Sequence, residues 1–155
     1  MTIWEEPMSG HTPVVAVFNS SADVVQMLRT ALEEDGYTTA TAHVTEIKQG
    51  QQDLVDFFER YDPQVVIYDV SLPYAENWTF FKLIRDTQAA HGRTFIITTP
   101  NKHALQEAVG EADVLELVGK PYDLQTILDR VAAAVREAGA DPSPTGDQDA
   151  GAAAR

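Results

Sequence analysis

Four short stretches carry side chains suited to phosphoryl chemistry. Asp69 directly follows the apolar run Val65-Val66-Ile67-Tyr68. A carboxylate held there can act as a nucleophile toward a phosphoryl donor. Thr99 closes a second apolar run, Phe95-Ile96-Ile97-Thr98, and offers a hydroxyl donor. Lys120 precedes Pro121. The proline restricts the lysine's backbone, and an ammonium there can neutralise a phosphoryl oxygen. Asn19-Ser20-Ser21 follows the run Val14 to Phe18 and adds neutral oxygens. Taken singly, each has an ordinary structural explanation as a turn former, cap or surface dipeptide. Their value lies in joint placement, which depends on the elements that hold them.

Those elements alternate. Val14–Phe18 reads as a buried strand, and Val24, Val25, Leu28 and Leu32 recur at helical spacing until Gly36. Tyr37 to Val44 is Thr-rich and predicts a second strand. Leu54, Val55, Phe57 and Phe58 mark a second helix, broken at Asp62-Pro63. Val65–Tyr68 and Phe95–Thr98 give the third and fourth strands, with a helix from Trp78 to Arg85 between them. Ala104 to Val109 predicts a short helix, Val114 to Val118 a fifth strand, and Leu124 to Val135 a final helix. Five strands alternating with five helices predict an α/β domain, a doubly wound five-stranded parallel sheet with helices on both faces. Ligands of such sheets sit beyond the carboxyl ends of the strands, where Asn19, Asp69, Thr99 and Lys120 all fall.

The chain of 155 residues suits one domain. Residues 1–12 read as a flexible lead, 13–137 as the domain, and 138–155 as a disordered tail. There are 24 acidic against 11 basic side chains, a net charge of -13. Such a body repels nucleic acid and anionic lipid, so neither is an expected partner. No cysteine is present, which excludes disulfides and thiolate metal sites. No apolar run is long enough to span a membrane, and Met1 to Thr12 lacks the pattern of a signal peptide; a cytoplasmic location is expected. The four histidines show no metal-ligand spacing.

Val66-Ile67-Tyr68-Asp69-Val70-Ser71-Leu72-Pro73 resembles the phosphoacceptor strand and turn of response-regulator receiver (CheY-like) domains. Lys120-Pro121-Tyr122-Asp123-Leu124 resembles the family's Lys-Pro-aromatic stretch, and Thr99 stands where the family keeps Thr or Ser. The helix ending Leu32-Glu33-Glu34-Asp35-Gly36-Tyr37 looks like the family's first helix. The resemblance spans about residues 13 to 137. It implies a flavodoxin-like fold with strand order 2-1-3-4-5 and a phosphoacceptor role for Asp69, supported by Thr99 and Lys120. It also implies signalling by contact with a histidine kinase, a phosphotransfer protein or another signalling protein, rather than enzymatic turnover. The sequence leaves a homodimer open.

Three positions depart from the family. The acidic pair that helps hold magnesium is replaced by Asn19-Ser20. Asp69 and the Ser71 carbonyl then remain as the main protein ligands, and magnesium is expected to bind weakly or not at all. Asp23 is expected to cap the first helix rather than bind metal. Pro100 replaces a small residue whose N–H would hold the phosphoryl group. Leu117 stands where many receivers place a switching aromatic. The expected protein is therefore a receiver phosphorylated weakly or not at all, with a conventional magnesium-dependent receiver as the alternative. A flavodoxin-like cofactor binder is a third reading: Ser20 and Ser21 could hold a phosphate at a helix start, but the loop lacks glycines. A phosphatase would need an acid where Ser71 stands, and is set aside.

Overall fold

The computed structural model of the protein describes residues 12–118 and 121–140. The expected lead (apart from Thr12), residues 141–155 of the expected tail, and Lys120 lie outside the described residues. The elements are β1 (Val14–Asn19), α1 (Ala22–Glu34), β2 (Thr38–His43), α2 (Val44–Lys48), α3 (Leu54–Tyr61) and β3 (Val65–Asp69). They continue as α4 (Tyr74–Arg85), β4 (Thr94–Thr99), α5 (Lys102–Val109), β5 (Val114–Glu116) and α6 (Pro121–Ala140). All strands pair in parallel, in the order β2-β1-β3-β4-β5. This is the expected doubly wound sheet.

The central strands carry apolar side chains on both faces because helices cover both. On one face Val15, Val17, Val65, Ile67 and Ile96 pack under α1 and α6, against Leu28, Leu32, Ile127 and Val131. On the other, Ala16, Phe18, Val66 and Tyr68 meet Phe57 and Phe58 of α3, Phe81 of α4 and Leu105 of α5. This second core is aromatic. Phe18 stands edge-on to Phe57 at 5.1 Å, and Tyr68 lies 5.1 Å from Phe81. Such pairs add to the burial of area alone.

The helix α4 begins at Tyr74, ahead of the expected Trp78, and the structure departs from the expected elements in three further places. The second strand stops at His43, and Val44 opens α2, a short sixth helix. The fifth strand is only three residues long. The last helix runs to Ala140, three residues past the expected boundary at 137. Its end is rich in alanine, the strongest helix former, which carries the helix into the segment expected as tail.

Candidate functional site

The carboxyl ends of β1, β3 and β4 meet at one rim. β3 and β4 set Asp69 opposite Thr98. Paired residues of neighbouring strands point to the same face. The Thr98 hydroxyl therefore donates to Asp69 Oδ1 at 2.7 Å, and Thr98 is fully buried. The side chain of Thr99 is directed to the opposite face by the same alternation. Its buried hydroxyl has no hydrogen-bond partner among the described residues. The hydroxyl expected from Thr99 thus comes from Thr98. Two adjacent threonines end the strand, and only the pairing register decides between them.

Asn19 ends β1 with a buried side chain whose Oδ1 accepts the Ser21 N–H at 2.8 Å. Ser21 caps α1, its Oγ accepting the Val24 N–H at 3.3 Å. The capping role expected of Asp23 belongs to Ser21; Asp23 lies in the exposed first turn, where its charge suits the helix dipole.

After Asp69 the chain turns. The Val70 N–H donates to the Thr98 carbonyl at 2.8 Å, and Pro73 leads into α4. The turn is held from inside by Asn77, a residue without an expected role. Its Nδ2 donates to the carbonyls of Ser71 at 2.8 Å and Leu72 at 3.0 Å. Its Oδ1 accepts from Lys48 Nζ at 2.7 Å. No sequence pattern links Lys48 to Asn77, because the contact depends on the unexpected helix α2.

At the end of β5, the Leu117 N–H donates to the Thr99 carbonyl at 2.9 Å, and the Leu117 side chain is buried. The Val118 N–H donates to Asp123 Oδ2 at 3.0 Å, which fixes the entry into α6.

These ends enclose a cavity of about 270 Å³. Asn19, Ser20, Ser21, Asp69 and Ser71 form its polar side, and Val24, Pro100 and Leu117 its apolar wall. Asp69 is the one ionisable side chain among these lining residues. Burial raises its carboxyl from 3.8 to about 6, and the Thr98 hydrogen bond opposes that shift in part. Burial, with the adjacent Asp69 charge, also pushes the Tyr68 phenol well above its usual range. Among the described residues no three His, Cys, Asp or Glu side chains come together as a metal-binding group.

A family model described as the response regulator receiver domain matches residues 15–132. Solved structures share the fold. The chemotaxis protein CheY4 of Vibrio cholerae matches at 23% identity and TM-score 0.56, covering 80% of this chain and 99% of that one. A response regulator from Thermotoga maritima matches at 22% identity and TM-score 0.57, covering 81% and 99%. A sensor protein from Polaromonas matches at 15% identity and TM-score 0.60, covering 81% and 98%. At such identities these likenesses concern the fold. No curated protein sequence matches the chain at a significant level.

Proposed function

This chain belongs to the response-regulator receiver family, and from that premise we propose that it works in two-component signalling by protein–protein contact, with Asp69 at the phosphoacceptor position and little or no help from magnesium. Its partners are of the kind receivers meet: a histidine kinase, a phosphotransfer protein or another signalling protein. It acts as a binding module and not as an enzyme. Among the described residues no helix is long and apolar enough to cross a membrane.

One observation carries this reading: Asp69 stands as the single carboxylate among the described residues that line its cavity. Magnesium favours several carboxylate or phosphate oxygens in near-octahedral array. The donor set here is Asp69, already bonded to Thr98, with neutral Asn19 and Ser20, and a Ser71 carbonyl already bonded to Asn77. That set does not fit a divalent cation well. A phosphoryl group on Asp69 would add charge that needs donors around it. A divalent cation, poorly held by this donor set, would ordinarily help carry that charge. The modified state is then poorly stabilised, and the population shift it could drive is small.

The test is incubation with a small-molecule phosphodonor and magnesium, read by intact mass. Most of the protein should stay unmodified. The conventional receiver mechanism draws support from the Thr98–Asp69 hydrogen bond and from the cavity beside it. Stoichiometric addition that disappears in Asp69→Asn would establish that mechanism instead.

A further inference from the structure

Asn77 is only 9% exposed, and its amide is engaged on both atoms. Nδ2 spends its donors on the Ser71 and Leu72 carbonyls. Oδ1 is taken by Lys48, the last residue of α2, whose ammonium also lies 5.9 Å from the centre of the Phe80 ring. The chain Lys48–Asn77–Ser71 therefore runs from the outer end of a short helix to the main chain beside Asp69.

We propose that Asn77, backed by Lys48, is a positioning pair that draws the Ser71 carbonyl away from cation binding. The proposal rests on the reading of Asp69 and the Ser71 carbonyl as the remnant of a cation site. Two physical effects act in the same direction. A hard cation needs a carbonyl lone pair turned toward it, and the amide N–H, 2.8 Å from the oxygen, draws that oxygen toward α4. The Lys48 charge lies two hydrogen bonds from the same oxygen, where it strengthens the amide as a donor and repels a second cation. An amide that merely closed the turn would do so without the lysine.

The pair can be separated from the missing carboxylates. Magnesium affinity is measured by calorimetry for the natural sequence and for Asn19→Asp/Ser20→Asp, each with and without Asn77→Ala or Lys48→Met. In the two-aspartate background, Asn77→Ala should tighten magnesium by about 10-fold, the scale on which groups behind a ligand act, and Lys48→Met should tighten it less. Unchanged or weaker affinity in both variants would overturn the pair. Lys48 is exposed, so Lys48→Met leaves the fold intact and decides the matter if Asn77→Ala fails to fold. Tight magnesium binding by the natural sequence would instead sink the weak-site reading. The pair would still stand if Asn77→Ala tightened binding further.

Discussion

Asp69 brings a charge to a place where burial opposes it. Its carboxyl is raised from 3.8 to about 6, with burial as the main cause. A raised carboxyl favours the protonated form in the folded chain. The resulting penalty is absent below the ordinary value of 3.8, grows between 3.8 and about 6, and is complete above that. The gap corresponds to about 2–3 kcal/mol of lost stability at neutral pH. Asp69→Asn keeps the shape and can still accept the Thr98 hydroxyl. It should stabilise the protein by about 2 kcal/mol at pH 7.5, and the gain should vanish near pH 4. Urea unfolding at several pH values measures this. A destabilised variant at pH 7.5 would mean that the native protein pairs the carboxylate, with Lys120 the candidate from the sequence. Asp69 was legible because an acid after an apolar strand is conspicuous. Thr98 was not, since one residue of strand register separates it from Thr99 and no local pattern fixes that register.

Arg93 shows what an element requires that its own sequence does not display. The end of α3 was visible in Asp62-Pro63, and Asp62 adopts a left-handed backbone with φ of 45°. The group that completes that end lies far along the chain. Arg93 donates to Asp62 Oδ1 and the Pro63 carbonyl, each at 2.8 Å, and to the Phe58 carbonyl at 3.3 Å. Its Nε donates to the Ala89 carbonyl at 3.0 Å, and the guanidinium lies 4.9 Å from the Phe58 ring centre. The fork thus serves α3 and the segment before β4 together. Arg93→Ala should cost about 2–3 kcal/mol, as expected for charged hydrogen bonds to buried carbonyls. Arg93→Lys should recover only part, since one ammonium cannot span those acceptors. Chemical denaturation gives both values, and an Arg93→Lys variant as stable as the natural protein would remove the fork from the account. The same limit explains the other surprises. The Thr-rich composition of Tyr37 to Val44 predicted β2, but the five residues of α2 are too few to show a helical period. Without α2, the contact of Lys48 with Asn77 could not be foreseen.

At the scale of the whole molecule, the -13 charge and the described ion pairs oppose one another in their response to salt. The pairs Arg29–Glu33, Arg60–Asp56 and Arg130–Asp113 each have at least one partner more than half exposed. Exposed pairs of this kind contribute about 0–1 kcal/mol each, and salt weakens them. The surplus of carboxylates repels itself in the compact state, and salt screens that repulsion within a length of about 8–10 Å at moderate ionic strength. With 24 acidic groups against 11 basic ones, repulsion outweighs the weak pairs. Raising sodium chloride should therefore raise the melting temperature. The same titration separates general screening from a specific cation site. A ligand bound only by the folded chain adds stability that grows as its concentration passes its dissociation constant. Screening depends mainly on ionic strength. Magnesium chloride and sodium chloride compared at matched ionic strength should then give similar rises for this protein, and a clear magnesium excess for Asn19→Asp/Ser20→Asp. A magnesium excess in the natural protein that is lost in Asp69→Asn would place a working cation site at Asp69 and undo the reading of a cavity that has given up its metal.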